Sequence, residues 1–510
     1  MKVGQWSWVF KNVKTHLDFK SVMGISWYST SFRAATLKAI TASPIDELFR
    51  RISPLGNQSI SIVPILDQWV AEGKPVDKKR HLQLCIKLLR QYKRYSQTLE
   101  MSLWMTDKRY FPLVASDVAV RLDLIGKTHG LKEAENYFNS VPKQLKGLEV
   151  YSSLLHCYGC FRSVEKAEAV MQRMRDLGLD RCIVTSNSLL TLYYKTGNYK
   201  KVDTFRHEME EKGIAYNVNT YCICLSAYAA QCNVDGINNI LQKVESDWAL
   251  TLPWNFYAVV TYAYIKVGHM DKALAMLKKF EALCKGNCGA YNQLLRQYAK
   301  LGKKDDVLRV WELYKTNMKV YNKGYLAMIS SLLKCDDIES AEKIFDEWES
   351  HIPATLTYDI RIPNLLLGAY ARKGPLGKFE RIVNQIVLKE GKPDASTWYF
   401  FAKILLMNNE MENAVNAMKE AILISQPWWK PCDESLAACL KYLKEEGEID
   451  EAEKLVNLLV DRDIISSEVQ VKLLSYVKDG NVDSTLDGLV ILDGSALHQS
   501  GEEADDDGID

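Results

Sequence analysis

Basic side chains recur in this sequence at intervals close to 35 residues. Lys266, Lys300 and Lys334 are 34 residues apart, and one shared repeat position holds Lys127, Lys195, Lys266, Lys300, Lys334, Arg372 and Lys478. The series is interrupted at Cys160, Ala230, Met407 and Glu445. A row of cations that tracks a phosphate backbone would bind nucleic acid in a salt-dependent way without reading its sequence. Cations near helix C-termini also offset the helix dipole by about 0.3–1 kcal/mol each, and both interpretations stay open.

The cysteines point away from metal chemistry. Twelve are scattered without a secreted-domain spacing, which indicates reduced thiols. Cys157 and Cys160 form the only Cys-x-x-Cys pair. A zinc site needs four ligands, and no second pair has a suitable spacing. We therefore expect core and near-core thiols at these two positions.

Motifs of the common enzyme classes are absent. The sequence has no Gly-x-x-x-x-Gly-Lys-Ser/Thr, His-Glu-x-x-His or Gly-x-Ser-x-Gly, and it lacks the signature of zinc deaminases. The prediction is a protein that is not an enzyme and has no catalytic residue, cofactor or metal. An enzyme that uses the thiols is the alternative, and zinc bound to the purified protein would favour it.

The elements that would position the cations are short helices in a repeating pattern. The segment Ile183–Asn217 reads as two amphipathic helices, which Gly197 and Gly213 end. Aligned on it, nine units share a fourth position, at Tyr151, Ser186, Tyr221, Tyr257, Tyr291, Tyr325, Pro363, Trp398 and Leu436. Such short helices cannot bury their apolar faces alone, so the units must stack. The sequence predicts an all-α, right-handed α-solenoid superhelix of helix–turn–helix repeats of about 35 residues.

The chain totals and the two ends set the domain organisation. The formal charge of the 510 residues is +1, so the chain as a whole lacks the excess of basic residues that would indicate nucleic-acid binding. No apolar run approaches the ~20 residues that span a bilayer, so no membrane partner is expected. Residues 1–45 are basic, rich in hydroxyl side chains and contain one acid, Asp18, which predicts a mitochondrial transit peptide. The alternative is a basic N-terminal segment that carries no targeting signal. We expect degenerate helical repeats over 46–114, the solenoid over 115–467, a capping half-repeat over 468–483 and an acidic, disordered tail over 484–510.

The best unit carries recognisable motifs. Ser186-Asn187 stands near its start, Tyr-Lys-Thr-Gly ends its first helix at Gly197, and Glu-Met-Glu-Glu-Lys-Gly ends its second at Gly213. This combination resembles the plant P-class pentatricopeptide repeat proteins, over about residues 80–482. The tetratricopeptide repeat, with its 34-residue period and different Trp/Gly/Tyr/Ala/Pro pattern, fits less well. The resemblance implies an organellar protein that binds single-stranded RNA or belongs to the organellar ribosome.

The resemblance also implies which residues contact bases. In this family the fifth and the last residue of a unit read about one base. Asn187 with Asn217 fits a pyrimidine-type pair, and Asn364 with Asp394 fits the uridine-type pair. Asn292 is half a pair. The same asparagines would also serve as helix N-caps, and this second interpretation stays open.

The sequence therefore predicts a non-enzymatic RNA-binding protein of the mitochondrial matrix rather than the chloroplast, acting in RNA maturation, stability or translation. The expected phosphate contacts are Lys127, Lys195, Lys266, Lys300, Lys334 and Arg372. The alternative is a protein-interaction scaffold or structural component bound to the mitochondrial ribosome, with ribosomal RNA and ribosomal proteins as partners. The neutral charge, the units without a legible pair, and Trp428-Trp429, expected exposed in a loop, favour it.

Overall fold

The computed structural model describes residues 44–55, 60–73, 78–107, 112–246, 251–356, 358–373, 376–388, 393–426 and 429–478. Within these ranges the chain forms 25 α-helices and no β-strand, which confirms the predicted all-α fold. None of these helices is long and apolar enough to cross a membrane. The predicted acidic tail lies outside the described residues, as does the predicted transit peptide except for Pro44 and Ile45, which begin the first helix.

Four helices precede the regular pairs: α1 (Pro44–Ile52), α2 (Val63–Ala71), α3 (Lys78–Gln91) and α4 (Tyr95–Asp107). They share an apolar core that includes Trp69 and Trp104. The indole Nε1 of Trp104 donates to Asp67 Oδ1 at 2.8 Å, so its polar atom is satisfied.

Ten helix pairs and a final single helix follow. The first helices of the pairs are α5 (Ala115–His129), α7 (Leu148–Cys160), α9 (Ile183–Lys195), α11 (Val218–Ala230), α13 (Trp254–Lys266), α15 (Cys288–Lys300), α17 (Asn322–Lys334), α19 (Arg361–Lys373), α21 (Ala395–Met407) and α23 (Asp433–Glu445). The second helices are α6 (Leu131–Ser140), α8 (Val164–Asp176), α10 (Tyr199–Glu211), α12 (Val234–Ser246), α14 (Met270–Ala282), α16 (Lys304–Asn317), α18 (Ile338–Thr355), α20 (Leu376–Leu388), α22 (Met411–Leu423) and α24 (Ile449–Asp461). The single helix is α25 (Ser467–Lys478), at the place of the predicted capping half-repeat.

The described residues group into two compact units. One comprises the residues up to 252 together with 266–268, and the other comprises 253–265 and 269 onwards. Within each unit a first helix packs against its own second helix and against the first helices of the neighbouring pairs, as α7 does with α8, α5 and α9. First helices therefore form a continuous layer inside each unit. The predicted boundaries at residues 114 and 467 stay predictions.

The turns after eight of the first helices share one backbone conformation, with a residue of positive φ. Gly197, Gly268, Gly302 and Gly447 have φ of +72°, +82°, +67° and +75°, while Gly374 is outside the described residues. Units that lack glycine keep the conformation, since φ is +53°, +54°, +57° and +60° at the equivalent residues Arg162, Cys232, Asp336 and Asn409. The left-handed residue is thus a requirement of the repeat, and glycine is the residue that meets it with least strain.

A tyrosine in the first helix joins adjacent pairs. Tyr193 Oη donates to Glu168 Oε1 at 2.8 Å, and Lys201 Nζ contacts the same oxygen at 2.7 Å. Tyr370, Glu342 and Lys378 repeat this arrangement in the other unit, with both contacts at 2.7 Å. The acid comes from the second helix of the preceding pair, so each such cluster fixes one pair against the next.

Candidate functional site

Asn187 and Asn217 meet at the N-terminus of α11. Asn187 Nδ2 donates to Asn217 Oδ1 at 3.1 Å, and Thr220 Oγ1 donates to Asn187 Oδ1 at 2.9 Å. Asn217 is also the N-cap of α11, because its Oδ1 accepts from the backbone N–H of Thr220 at 3.0 Å. Thr220 Oγ1 accepts from the Asn217 backbone N–H at 3.3 Å, which completes a reciprocal capping box.

The same network is built a second time, at the N-terminus of α21. Asn364 Nδ2 donates to Asp394 Oδ1 at 2.9 Å, and Thr397 Oγ1 donates to Asn364 Oδ1 at 2.8 Å. Asp394 caps α21 by accepting from the backbone N–H of Thr397 at 2.9 Å. The two predicted pairs are therefore spatial pairs, each held in place by a threonine.

The half pair at Asn292 is different. Its side chain is 8% exposed in α15, and its Oδ1 has no hydrogen-bond partner among the described residues. Tyr321, the corresponding last residue, precedes α17 without capping it and is 53% exposed. Asn292 thus lacks the preorganised partner that Asn187 and Asn364 have.

The N-cap interpretation of the asparagines is right for some positions and wrong for others. Asn217 and Asp394 are caps, whereas Asn187, Asn292 and Asn364 are the fifth, fifth and fourth residues of their helices and cap nothing. Capping uses Oδ1 of Asn217 and Asp394. The second polar atom of each, Asn217 Nδ2 or Asp394 Oδ2, makes no hydrogen bond with the described residues. One cap therefore offers two spare donors and the other a spare acceptor.

All six predicted cations stand in the last turn of a first helix: Lys127, Lys195, Lys266, Lys300, Lys334 and Arg372. Lys300 is half-buried, and the other five are exposed. Lys127 is partly neutralised, because its Nζ lies 3.1 Å from Asp123 Oδ2. Their position is compatible with the helix-dipole interpretation and equally with contacts to phosphates.

Aromatic rings accompany some of these cations, a feature that the sequence analysis missed. Lys300 Nζ lies 4.7 Å from the ring centroid of Tyr262, which is 40% exposed on α13. A lysine outside that set, Lys319, is placed in the same way, with Nζ 5.6 Å from the ring centroid of Tyr321. Exposed rings beside cations are the combination on which nucleic-acid bases stack. The available signal was Tyr262 itself, a large aromatic residue outside the apolar stripe of its helix.

Two expectations about exposure are wrong. Trp429 is buried and packs on Tyr399 with ring centroids 6.0 Å apart, while Trp428 is outside the described residues. Cys157 is a core thiol as expected, but Cys160 is exposed. No group of three or more metal-ligating side chains occurs in the described part of the chain.

Comparisons with known proteins identify the repeat. Residues 181–230 match the PPR repeat family, and residues 149–179 and 325–351 match the PPR repeat. The chain is 39% identical over 425 residues to the pentatricopeptide repeat-containing protein At2g20710, mitochondrial, of Arabidopsis thaliana, covering 83% of this chain and 86% of that protein. The chain belongs to the pentatricopeptide repeat family. The resemblance to plant members of this family is thereby confirmed.

Other pentatricopeptide repeat proteins show similar matches. The Arabidopsis thaliana protein At4g21705, mitochondrial, is 33% identical, with 80% of this chain and 83% of that protein covered. Among solved structures, PPR10 from maize matches with a TM-score of 0.49 and 19% identity, covering 82% of this chain and 62% of the maize chain. A structure of PPR10 with an 18-nt psaJ RNA element matches with a TM-score of 0.48 and 17% identity, over 86% of this chain and 65% of that one.

Proposed function

We propose that this protein binds single-stranded organellar RNA and acts without catalysis in RNA maturation, stability or translation. Asn187 with Asn217 and Asn364 with Asp394 contact bases, and Lys127, Lys195, Lys266, Lys300, Lys334 and Arg372 contact phosphates. The observation that carries the proposal is the repeated network. Two distant repeats build the same asparagine, cap and threonine arrangement, and each leaves a polar atom of the cap residue without a hydrogen-bond partner among the described residues.

Structure alone would not require this repetition. A helix cap needs one acceptor, and α15 is capped by Asn287 alone, whose Oδ1 accepts from the backbone N–H of Ala290 at 3.0 Å. The additional asparagine of the two pairs orients the cap side chain and adds hydrogen-bonding atoms beside it. Membership of the pentatricopeptide repeat family supports the same conclusion. Both Arabidopsis thaliana relatives described above are named mitochondrial, which supports a mitochondrial location, and we place the protein in the matrix.

The decisive experiment is crosslinking of the tagged protein to RNA in isolated mitochondria, followed by sequencing of the bound RNA. A short footprint on one or a few transcripts is the expected result. Reads dominated by ribosomal RNA, with the protein sedimenting beside a ribosomal subunit, would favour the ribosome-bound scaffold instead. Recovery of no RNA would overturn the proposal, and the cations would then serve only to stabilise the C-termini of their helices.

A further inference from the structure

A thiol, an imidazole and a carboxylate meet at the C-terminal end of α7. Cys160 Sγ lies 3.6 Å from His156 Nε2, one helical turn away on the same helix. The same nitrogen lies 3.8 Å from Asp123 Oδ1, which α5 contributes. None of these three side chains belongs to the asparagine pairs.

The charges around the cluster favour an ionised thiol. Asp123 is 6% exposed, and its Oδ2 contacts Arg90 Nη2 at 2.9 Å and Lys127 Nζ at 3.1 Å, which leaves Oδ1 facing the imidazole. The hydrogen bond to Cys160 and the charge of Asp123 raise the pKa of His156 despite its desolvation. The hydrogen bond from His156, with support from Lys127, lowers the pKa of Cys160 despite partial desolvation and the opposing charge of Asp123.

Accessibility separates Cys160 from the buried thiols. Burial raises the pKa of Cys157, the residue after His156, to about 12, and burial does the same for Cys222 and Cys439. Cys232 is exposed like Cys160 but has no imidazole contact in the described part of the chain. Reactivity of a cysteine requires both access and thiolate character, which the structure combines at Cys160.

We infer that Cys160 is a nucleophilic thiol that His156 activates, with Asp123 stabilising the imidazolium, and that it forms mixed disulfides with small disulfides such as oxidised glutathione. The Cys160 proton passes to His156 Nε2, and the thiolate attacks one sulfur of the disulfide. A new bond joins Cys160 to that sulfur while the old sulfur–sulfur bond breaks. The second glutathione leaves as a thiolate and takes up the proton, so Cys160 is oxidised and one glutathione sulfur is reduced.

The position of Cys160 gives the modification a consequence. Cys160 occupies the repeat position at which the neighbouring units carry Lys127 and Lys195. A glutathionyl group has two carboxylates and one ammonium, so it adds one net negative charge between those cations. Attachment should therefore weaken RNA binding, an effect that rests on the proposed function.

The test uses the full-length reduced protein and oxidised glutathione between pH 6 and pH 9, with each cysteine followed by mass spectrometry of digests. At pH 7 Cys160 should form the adduct about tenfold faster than Cys232, and its rate should fall less steeply as the pH decreases. His156→Gln should bring the Cys160 rate to within about twofold of the Cys232 rate, which itself should not change. Equal wild-type rates at the two cysteines, or parallel pH profiles, would overturn the inference without any variant.

RNA binding is then compared between the reduced and the glutathionylated protein, with Cys160→Ser treated in the same way as the control. Several-fold weaker binding of the modified wild-type protein, with no change in Cys160→Ser, is expected. Equal RNA binding by the two wild-type forms would refute the effect of glutathionylation on RNA binding but not the reactivity of Cys160. Absence of RNA binding by the reduced protein would instead refute the proposed function and leave the thiol chemistry in place.

Discussion

Asn187 Nδ2 donates to Asn217 Oδ1 at 3.1 Å although 30 residues separate the two in the chain. The contact exists because Asn217 caps α11, and α11 packs beside α9, which carries Asn187. The fold alone therefore assembles the pair. Preorganisation of this kind lowers the entropic cost of binding, since neither side chain has to be ordered by the ligand.

Removing each member of this pair separates capping from base contact. Asn217→Ala should lower the free energy of unfolding by about 1–2 kcal/mol, because α11 loses its cap and Asn187 loses its acceptor. Asn187→Ala should cost less than about 1 kcal/mol, since the cap remains. Both variants should weaken RNA binding in a filter-binding titration, whereas chemical denaturation should distinguish them.

Asn287→Ala is the matched control for that comparison. Asn287 caps α15, but its unit has Ala258 at the fifth position, so no asparagine pair is lost. The variant should lose about 1 kcal/mol of stability and keep its RNA affinity. A loss of affinity equal to that of Asn217→Ala would mean that stability alone explains both effects.

The cation row predicts a change in salt dependence. Changing Lys195, Lys300 and Lys334 together to Glu should weaken RNA binding strongly. It should also reduce the slope of log affinity against log salt by about 2, because each phosphate contact to a single strand contributes ~0.7 to that slope. The measurement is a salt titration with a fixed RNA. If affinity and slope do not change, only the helix-dipole interpretation of these cations remains.

The control for the cation row is a second triple variant, in which three lysines of second helices are changed to Glu so that the net charge changes by the same amount. Lys200, Lys343 and Lys454 lie on α10, α18 and α24, and the side chains of Lys343 and Lys454 are 72% and 69% exposed. Reversing their charges should reduce RNA affinity far less than the row variant, because only distant repulsion is added. Equal losses in the two triple variants would show that total charge, and not the row, governs binding.

Much of the fold was predictable because its signals are local. The tyrosine and glycine positions placed the starts of α7, α9, α11, α13, α15, α17, α21 and α23 at the residues where they occur. For α19 the helix begins at Arg361, one residue later than the repeat numbering predicts. Asp359 Oδ1 accepts from the Arg361 backbone N–H at 3.2 Å in a lengthened loop, a contact that a fixed period does not encode.

Less of the site was predictable because it depends on contacts between repeats. Thr220 and Thr397 were missed, although each follows its Asx cap by three residues, a spacing typical of a capping box. The exposed Cys160 and the buried Trp429 were misjudged for a related reason. Helical periodicity and loop position predict average burial, whereas the neighbouring repeat decides which side chain is covered.

The turn conformation predicts a stabilising substitution. Arg162 has φ of +53°, which costs a non-glycine residue about 1 kcal/mol. Arg162→Gly should raise the free energy of unfolding by roughly 0.5 kcal/mol, because the relief of strain exceeds the entropy that glycine adds to the unfolded chain. Asn409→Gly should gain less, since asparagine tolerates this conformation. Denaturant titrations measure both, and a larger gain at Asn409 would contradict the strain explanation.

Glu342 predicts a pH-dependent contribution to stability. Burial raises its pKa, but hydrogen bonds from Lys378 and Tyr370 outweigh burial, so the pKa is lowered in the folded state. The stabilisation is therefore present above the ordinary glutamate pKa and is lost as the pH falls through the lowered value. Glu342→Gln should cost roughly 1 kcal/mol at pH 7, and the difference from wild type should shrink towards pH 3. Glu339→Gln on the same helix, where the side chain is 81% exposed, should show little difference at either pH in thermal unfolding.

The cap residues predict an exchange of base preference at constant stability. Asp394→Asn keeps Oδ1 for the backbone N–H of Thr397 and for Asn364, so α21 stays capped and stability should change by less than about 0.5 kcal/mol. The spare acceptor Oδ2 becomes a donor, however. Uracil presents a donor at N3 and cytosine an acceptor, so the variant should prefer cytidine where the wild type prefers uridine, by about five- to tenfold. Asn217→Asp should produce the reverse change in its own unit. Binding to a panel of RNAs with one base varied at a time measures the exchange, and an unchanged preference in both variants would show that these caps serve the fold and do not face a base.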